Sequence, residues 1–368
     1  MARLAGVVAV LVATAACAKP QLAPQAARVS ASPGPVSAIL GTPGATASLP
    51  PTMEQLMRPY TLAGMRERQF KAGKLESRAE VLKTDVFTRF AITYRSDGLL
   101  IHGTLQIPRE GKSPFPVIMM NHGFFSRAEY HSGDGTDRAA EYLNRHGYLT
   151  LSSDYRSWGE SDVGPSLYYS GLVIDVVNLM MTVDSIPEAD PARMGIWGHS
   201  MGGGVTMKVL TLNTPVKAAV LYSTVSADDS DLLQRWGLGC IGDIKAGENQ
   251  LDCNSSDVVP LDLSPDLIRA YYESSLDPLA LESTSPIDHL DWVTVPIQIH
   301  YGMEDGKDMV GTPPEWSLKL FGALDAAGKA VEIYKYEDAA HSFVGDSWIT
   351  LMERTSHFFD EYVKFAAP

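Results

Sequence analysis

Five residues constrain this chain more than any others: Gly198-His199-Ser200-Met201-Gly202. Arg193 to Trp197 before them reads as a short buried strand. Gly203 to Leu212 after them reads as a helix with apolar Val205, Met207, Val209 and Leu210. A Gly-x-Ser-x-Gly between strand and helix places the serine on a strained turn, and its glycines leave room for neighbouring backbone that a side chain would block. The bare pattern can arise in any small, Gly-rich turn. In this context it makes Ser200 a candidate nucleophile.

A serine of this kind needs an acid and then a histidine, each on a loop after a later strand. Val295 to Tyr301 is an apolar run of strand length ending in Gly302-Met303-Glu304-Asp305. Ala330 to Tyr336 alternates as a strand and leads into Glu337-Asp338-Ala339-Ala340-His341. Asp305 is therefore the expected acid and His341 the expected base, with Asp308 the competing acid and Glu304 behind it. The oxyanion donors follow from the same logic. One is the N–H of Met201, directly after the serine. The other lies in Asn121-His122-Gly123-Phe124-Phe125, the loop after strand Phe115 to Met120; Phe124 is preferred and Phe125 is in reserve. His122 reads as a packing residue. Phe125, and Trp236 further on, are candidate walls of a substrate pocket.

These residues form an ordered set with Tyr94-Arg95-Ser96-Asp97-Gly98, Ile101 to Pro108 and Asp154-Tyr155-Arg156-Ser157-Trp158-Gly159-Glu160-Ser161. The set resembles the α/β-hydrolase superfamily over residues 85–365. It is most similar to the catalytic domain of prolyl-oligopeptidase-like serine hydrolases and to their dienelactone-hydrolase and feruloyl-esterase-like relatives. One departure is Ser157, where relatives commonly carry glycine. The resemblance implies hydrolysis through an acyl-enzyme, without metal or organic cofactor.

The expected architecture is α/β: a mostly parallel eight-stranded sheet flanked by helices, with an antiparallel hairpin through Asp97-Gly98 and a lid insertion over residues 226–290. Glu54 to Leu82 reads as helical with a break near Pro59. The lid carries Asp228, Asp229, Asp231, Trp236, Tyr271 and Tyr272, and its Cys240 and Cys253 are expected to pair in an oxidising compartment.

Arg3 and the apolar run Leu4 to Ala16 form a targeting segment over residues 1–18, too short to span a bilayer permanently. Thr14-Ala15-Ala16-Cys17 resembles a lipobox, which would make Cys17 the lipidated first residue. Ordinary signal cleavage and an uncleaved apolar N-terminus are the alternatives. Residues 19–51, rich in Pro, Ala and Ser, read as a linker, and 52–368 as the catalytic domain. Export from a bacterial cytoplasm is the expectation, with the membrane reached only through the N-terminal lipid. The formal charge of −14 argues against nucleic acid and anionic membrane surfaces as partners.

Three functions are open at this point. The first is cleavage of small-molecule carboxylic esters. The second is cleavage of short peptides, as in prolyl-oligopeptidase-like peptidases, which gate their site with an N-terminal propeller for which this length leaves no room. The peptidase reading needs acids to hold a substrate amine, and the lid aspartates could supply them. The third is a non-catalytic surface lipoprotein that keeps the fold.

Overall fold

Strand alternation decides how this chain is layered. In Phe115–Asn121, Val117 and Met119 enter one core and Ile118 and Met120 the other, so both faces of the strand are buried. The same split recurs in Val216–Tyr222, with Ala219 and Leu221 on one side and Ala218, Val220 and Tyr222 on the other. Residues 51–127, 129–236 and 263–365 are described in the computed structural model.

The strands are β1 (Leu75–Lys83), β2 (Phe87–Ser96), β3 (Leu99–Pro108), β4 (Phe115–Asn121), β5 (Leu149–Ser153), β6 (Ala189–His199), β7 (Val216–Tyr222), β8 (Ile297–Gly302) and β9 (Val331–Tyr336). They form one nine-stranded sheet in the order β1-β2-β3-β5-β4-β6-β7-β8-β9. β1, β2, β3 and β5 pair antiparallel in sequence, and every pairing from β5 through β9 is parallel.

The helices are α1 (Met53–Met57), α2 (Leu62–Arg66), α3 (Asp137–Arg145), α4 (Ser170–Met180), α5 (Met201–Leu210), α6 (Asp229–Trp236), α7 (Pro265–Ser275), α8 (Pro278–Glu282), α9 (Pro314–Ala326) and α10 (Gly345–Phe359). Residues of α4, α5 and α9 join the larger core. Residues of α3 and α10 fill the smaller one across the sheet.

The sheet has nine strands rather than eight, and the added one corrects the helical reading of Glu54 to Leu82. Only Met53–Met57 and Leu62–Arg66 are α-helical there, joined by a 3₁₀ turn at Arg58–Tyr60. Leu75–Lys83 is an edge strand that pairs with β2 from Leu75 opposite Tyr94 to Lys83 opposite Thr88. Its residues are good helix formers, but the ladder along β2 outweighs that propensity. Arg78 lies 4.1 Å over the Phe90 ring and pairs with Glu188 at 2.9 Å, which ties the strand to the body.

Helix α6, in the segment expected to form a lid, is anchored by a buried ion pair. Lys208 of α5, almost fully buried, bonds both oxygens of Asp229 at 2.9 and 3.2 Å and the Thr284 carbonyl. A buried pair of this kind is held by completeness: losing one partner would leave the other charge stranded out of water. Cys240 and Cys253 lie outside the described residues, as do Cys17 and the rest of residues 1–50.

Candidate active site

The turn after β6 has the conformation its glycines allow. Ser200 has φ 55° and ψ −124°, a strained backbone for a residue with a Cβ. A Cβ on Gly198 would lie 2.3 Å from the Gly202 carbonyl oxygen, and one on Gly202 would lie 2.1 Å from the Asn121 oxygen. The strand, the turn and the helix touch backbone to backbone, so neither position admits a side chain. The turn is pinned on its other side by Ser200 N–H donating to the Tyr222 carbonyl at 3.0 Å and Val225 N–H donating to the Ser200 carbonyl at 3.2 Å.

Asp305 follows β8 and His341 follows β9, so Ser200, Asp305 and His341 meet at the carboxyl ends of parallel strands. His341 Nδ1 lies 3.0 and 3.1 Å from the two Asp305 oxygens. Asp305 is 4% exposed and accepts two further N–H bonds at Oδ1, from Gly306 at 2.7 Å and Thr312 at 2.8 Å. The Thr312 hydroxyl lies 2.8 Å from Oδ2. Burial alone would raise the Asp305 carboxyl, but His341 and Thr312 hold it below the usual carboxylate range. Asp308 lies elsewhere: its Oδ1 caps Val310 N–H and Gly311 N–H in the same loop. Glu304 pairs with Lys307 at the surface.

Ser200 and His341 line the same cavity, with no hydrogen bond between them among the described residues. Such bonds are often long in a free enzyme and tighten around substrate.

Phe124 and Met201 are the residues expected to supply the oxyanion donors. Neither Phe124 N–H nor Met201 N–H has a hydrogen-bond partner among the described residues, and both residues line the cavity wall. Met201 is the first residue of α5, where N–H groups have no partner inside the helix. The loop carrying Phe124 is held from behind. Trp158 donates its indole N–H to the Phe125 carbonyl at 2.9 Å and meets the Phe124 ring edge-on at 6.3 Å. His122 is fully buried between Tyr130 and Tyr155, with ring centroids 4.5 and 4.3 Å away. Burial lowers it to about 4, so it stays neutral and packs the loop. Ser157 adopts φ 75°, a conformation that favours glycine, and its hydroxyl accepts the Gly164 N–H at 3.2 Å.

The sequence reading missed the role of His199. Its Nε2 lies 3.1 Å from the His341 carbonyl, and its ring sits between Tyr222 at 4.4 Å and His341 at 4.8 Å. Burial, followed by the charge of His341, lowers it to about 3. A neutral ring facing a carbonyl must carry its proton on Nε2, so His199 donates to the backbone of His341 and steadies it. The cue was available in its place directly before Ser200.

The cavity has a volume of about 210 Å³. Phe124, Phe125 and Trp236 line it, together with Tyr169, Val225, Met309 and Val310. The lid aspartates are engaged elsewhere. Asp228 and Asp231 both bond Lys319, at 2.8 and 2.9 Å, and Asp229 bonds Lys208. Tyr271 is core, edge-on to Tyr168 at 4.9 Å. Among the described residues no cluster of His, Cys, Asp and Glu is arranged to hold a metal ion.

A family model described as "Serine aminopeptidase, S33" matches residues 112–247. Lysophosphatidylserine lipase ABHD12 of Danio rerio is 32% identical over 116 residues, 30% of this chain and 28% of its own. The chain thus spans less than a third of that relative's length. Acylaminoacyl peptidase of Pyrococcus horikoshii superposes with a TM-score of 0.58 at 21% identity, over 77% of this chain and 43% of its own. Acetyl xylan esterase 1 of Thermoanaerobacterium superposes with a TM-score of 0.55 at 14% identity, over 83% of this chain and 93% of its own. The likeness to both structures is one of fold.

Proposed function

We propose that this chain, whose fold is α/β-hydrolase-like, is a serine hydrolase of that superfamily cleaving carboxylic esters with uncharged acyl groups. The observation that carries the ester reading is the cavity wall. It is aromatic and aliphatic, and among the described residues no carboxylate lines it. A peptidase that grips a free substrate amine needs such a carboxylate, and the aspartates available in the lid are already bonded to lysines. An apolar cavity of about 150 Å³ accepts benzene, so this one has room for an aryl or short acyl group.

The mechanism follows from the contacts. His341 Nε2 takes the proton of Ser200 as its oxygen attacks the ester carbonyl, and Asp305 stabilises the imidazolium through Nδ1. The carbonyl oxygen becomes an oxyanion and accepts the N–H groups of Phe124 and Met201. The tetrahedral intermediate collapses, the alcohol leaves with the proton from His341, and Ser200 holds the acyl group as an ester. Water, deprotonated by His341, repeats the attack and releases the acid. The proposal includes export, on the strength of residues 1–18 with Cys17 as the lipid attachment point.

A panel of p-nitrophenyl esters set against aminoacyl-p-nitroanilides checks the substrate class. Turnover of the acetate and butyrate esters, with anilides at least about 100-fold slower in kcat/KM, is the expected result; that ratio corresponds to roughly 2.7 kcal/mol of differential transition-state binding. Strong anilide turnover with negligible ester turnover would replace this reading with the peptidase one.

A further inference from the structure

We propose that Arg235, near the C-terminal end of lid helix α6, is a positioning residue that sets Asp305 by gripping the loop between Asp305 and Thr312. The proposal rests on the reading of Asp305 as the triad acid.

The carboxylate of Asp305 takes N–H bonds from both ends of that loop, Gly306 and Thr312. Its orientation therefore depends on the path of residues 306–311. That path has little apolar anchorage of its own, because Met309 is 43% exposed and Val310 53% exposed. Gly306 at φ 72° and the tight approach of Gly311 to Asp305 Oδ1 leave the shape of this backbone to hydrogen bonds, of which Asp308 Oδ1 accepts two inside the loop, from Val310 and Gly311 N–H.

What holds the loop from outside is α6. Arg235 Nη2 donates to the Gly306 carbonyl at 3.0 Å and to the Asp308 carbonyl at 2.5 Å, and Trp236 donates its indole N–H to the Met309 carbonyl. Two adjacent lid side chains thus capture three carbonyls of one short loop. The guanidinium lies 5.9 Å from the Trp236 ring and 5.8 Å from the Trp316 ring, and those two rings meet edge-on at 5.1 Å. The other end of α6 is fixed by Asp229 to Lys208 and by Asp228 and Asp231 to Lys319. The helix is a strut, anchored at its start and holding the acid loop at its end. Because Trp236 also lines the cavity, contacts made by an acyl group reach the same strut.

A small displacement of a triad member is costly, on the order of 10- to 100-fold in rate, when reacting groups must meet within about an ångström. The titratable groups around the Asp305 carboxylate are His341 and Tyr222, with Glu304, Lys307 and Asp308 beside it or on the loop, Glu304 and Lys307 paired with each other; His199 beyond His341 is neutral. A carboxylate held less well stabilises the imidazolium less, so the acidic limb of the pH–rate profile moves to lower pH.

The test is kinetic, on the full chain with p-nitrophenyl acetate, using Arg235→Met, Arg235→Lys, Asp305→Asn and the Arg235→Met/Asp305→Asn double variant. Arg235→Met is expected to lower kcat about 10- to 100-fold with KM changed less than about threefold. Its acidic limb should shift down, and Arg235→Lys should recover part of the loss. In the Asp305→Asn background Arg235→Met should add no further loss, since it acts through that carboxylate. Wild-type kcat and an unmoved acidic limb in Arg235→Met, whatever KM does, would overturn the proposal if Asp305→Asn is crippled. An undiminished Arg235→Met loss on top of Asp305→Asn would overturn it too. Near-full activity of Asp305→Asn would remove the acid assignment itself, and the proposal with it. Should Arg235→Met fail to fold, Trp236→Phe, which deletes the donor to Met309 and also trims the cavity wall, is expected to give the same kcat loss and limb shift in smaller measure, beside whatever change the trimmed wall makes in KM; an unmoved kcat and limb there would be equally contrary.

Discussion

Ser200→Ala and His341→Ala are each expected to lower kcat on a p-nitrophenyl ester by about 10⁵- to 10⁶-fold, and the double variant to be little worse than either. The reason lies in how the work is divided. Without Ser200 there is no oxygen for His341 to deprotonate. Without His341 the serine attacks as a neutral hydroxyl. Either deletion removes the whole nucleophilic route, so the second finds nothing left to remove. What survives is activity from the Phe124 and Met201 donors acting on bound substrate, roughly 10³- to 10⁴-fold over water. Additive losses in a steady-state comparison of the four proteins would contradict this division.

Asp305→Asn is expected to cost about 10⁴-fold in kcat, with the fold intact, while Asp308→Asn keeps most of its activity. The hydrogen bonds decide the sign. Oδ1 of Asp305 faces two N–H donors, those of Gly306 and Thr312, so an asparagine must place its carbonyl oxygen there. Its NH₂ then occupies the site of Oδ2 and faces His341 Nδ1. Two donors cannot face each other, so the ring moves its proton to Nε2. In that tautomer His341 cannot accept the proton of Ser200. At Asp308 the oxygen only caps Val310 and Gly311, a task an amide oxygen performs equally well. The pair of kcat values, with circular dichroism as the fold check, tests the assignment. A dead Asp308→Asn beside an active Asp305→Asn would reverse it.

The parallel half of the sheet was legible because most of its strands contain short apolar runs and β9 alternates, and the turn at Ser200 because only glycine fits on either side of it. β1 was hidden for the opposite reason. Leu75 to Lys83 is nearly all exposed and built from helix formers, and only its partner β2 makes it a strand. The lid aspartates show a second limit. Their lysine partners, Lys208 and Lys319, come from α5 and α9, and nothing near Asp228 to Asp231 in the chain announces them. Spacing identified which residues could do chemistry. It could not identify which charges were already spoken for, and that distinction separates an amine-binding lid from a structural one. Met309 and Val310 escaped notice as pocket wall because they sit in the acid loop, where only the fold turns them towards Ser200.

The central claim is that Ser200 is an activated nucleophile in the folded chain. Incubation with a fluorophosphonate, followed by intact-mass measurement and peptide mapping, tests it most directly. One adduct per chain is expected, located on Ser200, lost in Ser200→Ala and strongly slowed in His341→Ala. No adduct on the folded protein, or an adduct on another residue with Ser200 unmodified, would contradict it.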